Sequence, residues 1–209
     1  AMAVSAGPDG VLLPKVTGAE DIEAIDRALT SAGAPPALAL WSMIETPLAI
    51  LNIRDIAAAS QQTRLTGLVM GLNDLGKELA AVATPDRSAF QVALALTLAA
   101  ARAYGLTAID AVFNDITDDE GLVVECSQGR TLGFDGKSLI HPAQLAAANR
   151  VYAPEPREVD HARAIIAAFA APENRGKGVI KVEGKMAELL HLEQATRLVA
   201  ISDAIASRS

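Results

Sequence analysis

The sequence has 209 residues, of which 51% are hydrophobic and 21% charged, so it holds enough apolar material for one sizeable core. Its formal net charge is −7 at pH 7, and only 3% of its residues are aromatic. These values disfavour nucleic-acid binding, because phosphate backbones attract clustered cations and single strands stack on aromatic side chains. Small molecules and protein partners are the favoured ligand classes.

The cysteine content and the hydropathy of the chain indicate its cellular compartment. Cys126 is the only cysteine, so no disulfide can form within the chain, and a reducing cytoplasm is the expected compartment. The longest strongly apolar stretch, residues 92–103, contains Thr97 and Arg102 and is well short of the roughly 20 residues that a membrane span needs. We therefore expect a cytoplasmic protein without a spanning helix.

Five apolar runs rich in branched residues predict strands, at residues 11–15, 38–45, 65–71, 107–115 and 137–141. Strands that alternate with helical segments are typical of parallel β/α units. Five units fit an open doubly wound sheet, and their spacing also fits the roughly 31 residues per unit of an eight-stranded barrel. The spacing does not choose between the two. No glycine-rich phosphate-binding motif opens any helix, which weakens a nucleotide-binding interpretation.

Helix signals lie between these runs. Thr17 and Glu20 have capping-box spacing at the start of the first helix, and Pro47 opens a helix that we expect to reach about residue 60. A third helix is predicted at residues 88–104, before Gly105, and Pro142 opens a fourth. These units form a predicted partial barrel domain, residues 1–155.

Residues 156–209 form a predicted C-terminal helical tail after a proline-rich linker. The tail is expected to contain a helix at 158–171, an extended hairpin near 176–184 and a last helix from about 186 to 205. This segment lacks strand–helix alternation, so we interpret it as an appendage or lid rather than as part of the barrel.

Four polar residues follow apolar runs, at the carboxyl edge where parallel sheets place their sites: Lys15, Glu45, Asp74 and His141. Glu45 and Asp74 end consecutive strands, which lie about 4.8 Å apart, so both carboxylates can reach one Mg²⁺ ion. The alternative is that Glu45 merely precedes a helix start and Asp74 caps a short helix at 75–81. Spacing alone slightly favours the alternative.

Lys15 and His141 have weaker signals. Lys15 is suited to neutralising an anionic substrate, although a solvated lysine is commoner. His141 is suited to donating a hydrogen bond to a ligand or to the adjacent backbone, but the sequence near it contains no second histidine that would support a metal site. The chain contains neither a G-x-S-x-G motif nor paired CxxC motifs, so serine hydrolase and zinc interpretations lack their usual support.

An ordered set of segments resembles the family of citrate lyase beta subunits, malyl-CoA lyases and citramalyl-CoA lyases, within the HpcH/HpaI aldolase superfamily. The resemblance covers essentially the whole chain from Val11 onward. Its segments are Leu13-Pro14-Lys15-Val16, Ile44-Glu45-Thr46, Gly71-Leu72-Asn73-Asp74-Leu75, Gly105-Leu106 with Ile109-Asp110, Asp118 with Glu120-Gly121, Gly133-Phe134-Asp135-Gly136-Lys137, Ile140-His141-Pro142-Ala143-Gln144 and Gly184-Lys185-Met186.

The resemblance implies an α/β fold of the (β/α)8 TIM-barrel family in which Glu45 and Asp74 hold Mg²⁺. It also implies a carbon–carbon lyase that cleaves a 3-hydroxyacyl-CoA of the malyl, citramalyl or citryl type to acetyl-CoA and a keto acid. Lys15 and His141 become the expected substrate-binding residues. Family members are commonly homotrimers in which the tail of one subunit covers a neighbour's site.

Two features depart from the family pattern. An aspartate of the tail serves as proton donor in the family, and Glu188 stands at that position here, so we assign it the catalytic role by resemblance. The family's first three β/α units, with an acidic segment and a carboxylate-gripping arginine, are not visible. We therefore expect about five of the eight units and exposed strand edges that need another partner, and the sequence leaves open whether this chain is active alone.

Two other functions remain open. A metal-dependent 2-oxo-acid aldolase uses a similar Glu and Asp pair on free acids, although the Gly-Phe-Asp-Gly-Lys and tail segments favour the thioester branch. A non-catalytic CoA-binding or assembly homologue would retain the fold without turnover.

Overall fold

The computed structural model describes residues 2–207, which form two compact units. The first unit ends at Tyr152 and the second begins at Ala153. The predicted boundary after residue 155 lies close to this division, whereas the roles assigned to the two parts stay predictions. Within the described part of the chain, no helix is long and apolar enough to cross a membrane.

The first unit contains one parallel sheet with the strand order β1-β2-β3-β4-β5. Helices connect consecutive strands, which confirms the predicted β/α units. The strand order has no reversal, so this sheet lacks the switch point of doubly wound folds. Its strands are β1 (Gly10–Leu13), β2 (Ala39–Ile44), β3 (Leu65–Met70), β4 (Thr107–Asp110) and β5 (Gly136–Lys137).

The last two strands are shorter than predicted, because side chains bind backbone amides a few residues beyond them. After β4, the Asp115 carboxylate accepts a hydrogen bond from the Thr117 amide, which makes a turn where the prediction extended the strand to residue 115. After β5, the Gln144 side chain accepts a hydrogen bond from the Ile140 amide. The predicted strand at 137–141 is therefore wrong beyond Lys137.

The helices of the first unit follow the predicted order with two corrections. At the start of the predicted first helix, Asp21 rather than Glu20 accepts hydrogen bonds from the Thr17 and Gly18 amides. The helix predicted at 47–60 is interrupted at Asn52, whose side-chain amide donates to the Thr17 carbonyl. The helices are α1 (Met2–Ser5), α2 (Ala19–Ser31), α3 (Pro47–Leu51), α4 (Ile53–Ala58), α5 (Leu72–Leu79), α6 (Gln91–Ala103), α7 (Asp119–Leu132) and α8 (Leu145–Tyr152).

One face of the sheet carries the main core. Leu40, Ile44 and Leu68 point from β2 and β3 to this face and belong to one buried cluster with residues of α2, α4 and α6. On the opposite face, the Trp41 ring lies over Gly67, where an added Cβ would lie 2.5 Å from the ring. Glycine is therefore required at position 67 so that the ring can approach the backbone.

The second unit has a separate core built from two helices and a hairpin. Its elements are α9 (Pro156–Ala170), β6 (Val179–Val182), β7 (Lys185–Glu188) and α10 (Leu189–Ala206), and β6 and β7 are antiparallel. Ile165, Ile180 and Ala195 belong to its buried cluster. The last helix starts at Leu189 rather than near 186, because Met186 pairs with Lys181 in the hairpin.

A buried charge network joins β4 and β5 to the helices. The Asp110 carboxylate accepts hydrogen bonds at 2.8 Å from Arg87 Nη1, and the register pairs Asp110 with Lys137. The Lys137 ammonium lies 3.5 Å from Asp110 and 2.5 Å from the Glu125 carboxylate. The Asp110 and Lys137 side chains are fully buried, so each charge depends on its partners for compensation.

We predict that Asp110→Asn lowers the free energy of unfolding by about 3 kcal/mol or more, because it leaves two buried cations short of one negative charge. Urea unfolding followed by fluorescence of Trp41, the only tryptophan, measures this in the first unit. Asp55→Asn is the matched control, since Asp55 and Arg54 are exposed, and it should cost no more than about 0.5 kcal/mol. Equal effects in the two variants would contradict the prediction.

Candidate metal and substrate site

Three of the predicted site residues meet at the carboxyl edge of β1, β2 and β3. Lys15 follows β1, Glu45 directly follows β2, and Asp74 lies in the first turn of α5, just after β3. The parallel pairing of these three strands brings their ends to the same edge. Glu45 is 3% exposed, whereas the side chains of Lys15 and Asp74 are 55% and 44% exposed. The group thus has a buried and a solvent-facing part.

Lys15 contacts both carboxylates. Its backbone amide donates a 2.7 Å hydrogen bond to Glu45 Oε1, and its ammonium donates to Asp74 Oδ1. The Lys15 backbone has a φ of +56°, the left-handed region that costs a non-glycine residue about 1 kcal/mol. This conformation coincides with the amide donating toward Glu45. The sequence predicted the three residues but not that Lys15 connects the other two.

Gly71 lets the Glu45 side chain lie against the backbone at the start of α5. An added Cβ on Gly71 would lie 2.5 Å from Glu45 Cβ and 2.9 Å from Glu45 Oε2. No side chain fits in that space, so Glu45 is held from one side by Gly71 and from the other by the Lys15 amide. The sequence placed Gly71 in a segment that resembles the family, but it did not predict that Gly71 makes room for Glu45.

The Lys15–Asp74 pair favours the charged form of both groups. The hydrogen bond from Lys15 is the main cause that lowers the pKa of Asp74, and the same bond raises the pKa of Lys15. The pair is therefore fully charged at neutral pH. The stabilisation that the pair gives to the fold is lost in acid, when Asp74 is protonated at a pH below the usual range of an aspartate pKa. It is also lost in base, when Lys15 loses its proton at a pH above the usual range of a lysine pKa.

The explanation of Asp74 as a helix cap is wrong. The helix begins at Leu72 rather than 75, Gly71 is its N-cap residue, and no side chain caps it. At the neighbouring strand, Thr46 rather than Glu45 caps α3, through a 3.0 Å hydrogen bond from the Ala49 amide. Neither carboxylate is thus occupied in capping within residues 2–207.

His141 and Glu188 have local structural partners. His141 caps the short 3₁₀ helix Pro142–Gln144, with Nδ1 accepting a 3.2 Å hydrogen bond from the Ala143 amide, so its neutral form carries the ring proton on Nε2. Glu188 ends β7 in the second unit and is the N-cap residue of α10, and its backbone amide donates to His191 Nδ1. The substrate-binding role of His141 and the catalytic role of Glu188 stay predictions.

The donor set at the sheet edge fits magnesium. Within residues 2–207, no group of three or more His, Cys, Asp or Glu side chains is arranged to hold a metal ion. Mg²⁺ is commonly held by one or two carboxylates and completes its octahedral shell with water and ligand oxygens. Glu45 and Asp74 match that limited requirement, provided that the Lys15 ammonium gives up its contact with Asp74.

Comparison with known proteins gives the class of the chain. Residues 1–142 match the family described as HpcH/HpaI aldolase/citrate lyase. A (3S)-malyl-CoA thioesterase of Cereibacter sphaeroides is 50% identical over 199 residues, which are 95% of this chain and 67% of the relative. Citrate lyase subunit beta of Escherichia coli is 36% identical over 190 residues, covering 88% of this chain and 62% of that subunit.

Two solved structures have a fold similar to that of this chain. CitE of Mycobacterium tuberculosis in complex with magnesium, acetoacetate and coenzyme A has a TM-score of 0.74 and 26% identity, over 97% of this chain and 72% of that one. RipC of Yersinia pestis has a TM-score of 0.67 and 32% identity, over 73% of this chain and 67% of that one.

The chain belongs to the HpcH/HpaI aldolase/citrate lyase family. The named relatives are enzymes, and the structural neighbours include complexes with magnesium, coenzyme A and oxo acids. The family resemblance drawn from the sequence is therefore confirmed, as is an α/β fold with a parallel sheet. The metal and substrate roles of Lys15, Glu45, Asp74, His141 and Glu188 remain proposals.

Proposed function

We propose that the protein binds Mg²⁺ through Glu45 and Asp74 and acts on the CoA thioester of a hydroxy dicarboxylic acid, such as malyl-CoA. The observation that carries this proposal is the contact of Lys15 with both carboxylates at one sheet edge. The reaction is carbon–carbon cleavage of a 3-hydroxyacyl-CoA to acetyl-CoA and a keto acid. The family membership and the magnesium-bound neighbours support this assignment.

The chemistry requires stabilisation of negative charge on the thioester. A bound Mg²⁺ supplies Lewis-acid polarisation of carbonyl oxygens. The substrate hydroxyl gives its proton to water, its oxygen becomes the carbonyl oxygen of the keto acid, and the bond to the thioester α-carbon breaks and leaves its electron pair there as an enolate. Protonation of the enolate carbon, which we assign to Glu188, gives acetyl-CoA.

The residues of this chain prepare that site before the substrate arrives. The Lys15 amide and the close approach of Gly71 fix the orientation of Glu45. Because Glu45 is already oriented, the reaction does not have to reorganise it. The exposed Lys15 ammonium is placed to pair with an anionic oxygen of the substrate once it leaves Asp74. His141 keeps its Nε2 proton for donation, because Nδ1 already accepts from the backbone.

Thioester hydrolysis is the second candidate. A (3S)-malyl-CoA thioesterase of Cereibacter sphaeroides is 50% identical to this chain, whereas citrate lyase subunit beta of Escherichia coli is 36% identical. Both candidates use the same thioester and differ in the bond that breaks. The free-acid aldolase and the non-catalytic homologue are further alternatives without a specific observation in their favour.

The remaining family features are part of the same proposal. We propose that the five described strands are part of a (β/α)8 barrel, that the protein assembles as a homotrimer in the cytoplasm, and that the second unit acts as a lid. The uninterrupted strand order and the coverage of about two thirds of the thioesterase support the barrel assignment.

Product analysis with (3S)-malyl-CoA separates the candidates. Carbon–carbon cleavage yields glyoxylate and acetyl-CoA, while hydrolysis consumes water and yields malate and free coenzyme A. We expect glyoxylate and acetyl-CoA in equal amounts, and their formation should stop on addition of EDTA. Chromatography of the CoA species with a glyoxylate assay measures both. Malate and a free thiol would establish the thioesterase instead, and binding without turnover would favour the non-catalytic homologue.

The metal assignment predicts that Glu45→Gln and Asp74→Asn each weaken Mg²⁺ binding by about tenfold or more, because each removes one of two anionic ligands. Both variants keep an oxygen that accepts the hydrogen bond from Lys15. Isothermal titration with MgCl₂ measures the affinity. Glu78→Gln is the control and should leave the Mg²⁺ affinity unchanged. Glu78 is exposed, lies on α5 as Asp74 does, and also interacts electrostatically with Lys15. Unchanged affinity in the first two variants would refute the assignment.

The position of Lys15 predicts an opposite effect on metal affinity. Lys15→Met should bind Mg²⁺ several-fold more tightly than the unmodified chain, because no ammonium then competes for Asp74. Lys77→Met is the matched control, as Lys77 acts on Asp74 through space without a hydrogen bond. If the Lys77 variant gains as much affinity as the Lys15 variant, the effect is general electrostatics and direct competition is wrong.

A further inference from the structure

The segments that follow β3 and β4 are joined by two asparagine side chains. Asn73 Nδ2 donates a 3.0 Å hydrogen bond to Asn114 Oδ1, and Asn114 Nδ2 donates a 2.8 Å hydrogen bond to Asn73 Oδ1. Each amide is donor and acceptor for the other, because an asparagine side chain carries both an NH₂ group and a carbonyl oxygen. Two such bonds fix the orientation of the two side chains as well as their separation. We call Asn73 and Asn114 the asparagine bridge.

The asparagine bridge lies beyond the backbone pairing of its two strands. The parallel register of β3 and β4 runs as far as Val69, which pairs with Ile109. Asn73 lies farther along the chain in the first turn of α5, and Asn114 lies farther along in the segment after β4. The bridge therefore continues the connection between the two strands to the edge of the sheet, where the candidate site is.

Asn73 directly precedes Asp74 in the first turn of α5. This helix has only eight residues, and no side chain within residues 2–207 caps its start. A helix of this length depends on tertiary contacts for its stability. Leu75 and Gly76 are buried and anchor α5 against the core, whereas Asn73 is exposed and ties the first turn to Asn114. A shift or rotation of this turn moves Asp74 with it, so the bridge limits the positions that the carboxylate can take.

The segment at the other end of the asparagine bridge is itself held in place by a buried side chain. Gln144 is 2% exposed, and its Nε2 donates a 3.0 Å hydrogen bond to the carbonyl of Phe113, the residue before Asn114. Its Oε1 accepts a 3.1 Å hydrogen bond from the Ile140 amide. Asn114 therefore extends from a segment that is fixed to the chain after β5, which makes it a firm anchor for α5.

The contact between Lys15 and Asp74 cannot replace this anchor when a metal ion is bound. The ammonium of Lys15 has to leave Asp74 before the carboxylate can bind Mg²⁺. The asparagine bridge uses neither the Lys15 ammonium nor the Asp74 carboxylate, so it persists in the metal-bound site. Glu45 is already held by the Lys15 amide and by Gly71, so Asp74 is the carboxylate that needs a separate support.

We propose that Asn114 is a positioning residue, which acts through Asn73 to hold Asp74 where it can bind Mg²⁺ together with Glu45. The proposal rests on the proposed function, which makes Asp74 a magnesium ligand. Mg²⁺ demands nearly ideal octahedral geometry, so a carboxylate that is free to shift binds it more weakly than one held in place. The bridge thus raises metal affinity without contributing a ligand.

The first test is a double-mutant cycle with Asn73→Ala, Asn114→Ala and the variant that carries both. Isothermal titration with MgCl₂ measures the affinity of each. Asn149→Ala is the matched control, because Asn149 is an exposed asparagine on α8. Both bridge residues are also exposed, and circular dichroism checks that the variants keep the helix and strand content of the unmodified chain. If Asn114→Ala does not fold, Asn73→Ala removes the same pair and decides alone.

We expect each single bridge variant to bind Mg²⁺ roughly three- to tenfold more weakly, which is the range of one or two modest hydrogen bonds. The double variant should bind no more weakly than the single ones, because all three lack the same pair. The control should bind as the unmodified chain does. Losses that multiply in the double variant, or an equal loss in the control, contradict the proposal.

The second test follows hydrogen exchange by mass spectrometry in EDTA, so that no metal is bound. In Asn114→Ala we expect faster exchange in residues 72–79 and unchanged exchange in residues 145–152, because only the first of these helices loses its anchor. Faster exchange with unchanged Mg²⁺ affinity assigns the bridge to helix stability alone and overturns the proposal.

The two tests separate this proposal from the proposed function. If exchange and Mg²⁺ affinity are both unchanged in Asn114→Ala, the positioning role is wrong, while metal-dependent formation of glyoxylate by the unmodified chain leaves the proposed function intact. An unmodified chain that binds no Mg²⁺ overturns both.

Discussion

The candidate site depends on one residue that contacts two carboxylates. The register of β1, β2 and β3 brings their carboxyl ends together, but parallel pairing alone leaves two negative charges side by side. Lys15 compensates both, with its backbone amide on Glu45 and its ammonium on Asp74. The left-handed backbone at Lys15 is a local cost that this double contact offsets.

The two contacts of Lys15 have different consequences for metal binding. The amide contact is compatible with a metal ion, because a carboxylate has a second oxygen for the ion. The ammonium contact competes with the ion for Asp74. A site that compensates its own charge without the metal avoids the repulsion of two neighbouring carboxylates, at the expense of metal affinity. If Glu45 and Asp74 hold Mg²⁺ as proposed, this arrangement favours binding of the metal together with an anionic substrate that takes over Lys15.

Much of the fold followed from the sequence, because parallel strands read as apolar runs and helices carry local capping signals. The five strands, their alternation with helices and the starts at Pro47 and Pro142 agree with the structure. The errors occurred where a side chain forms a hydrogen bond with a backbone amide or carbonyl. Asn52 interrupts a helix by bonding to Thr17, and Gln144 takes the amide that would have extended β5. The contact of Asn52 with Thr17 joins residues 35 positions apart, so it has no signature in local spacing.

The site was predictable in its residue types and not in its geometry. Polar residues after apolar runs identified Lys15, Glu45 and Asp74, since the carboxyl edge of a parallel sheet is shared. The buried network of Arg87, Asp110 and Lys137 was not predicted, because the predicted strand continued to residue 115 and placed Asp110 inside the run rather than at its end. The difference is the face to which the residue points. Asp110 follows the parity of the buried Ala108, whereas Glu45 is one residue past the buried Ile44.

Because of that parity, the cluster of Asp110 and Lys137 and the cluster of Glu45 and Asp74 lie in different surroundings. Asp110 and Lys137 are directed into the packing between sheet and helices, where full burial and mutual pairing leave no open ligand position. Glu45 and Asp74 are at the sheet edge, where solvent and ligands reach Asp74 and Lys15. Charged residues one position apart at the ends of parallel strands therefore lie either in the buried packing or at the edge of the sheet, and side-chain parity decides which.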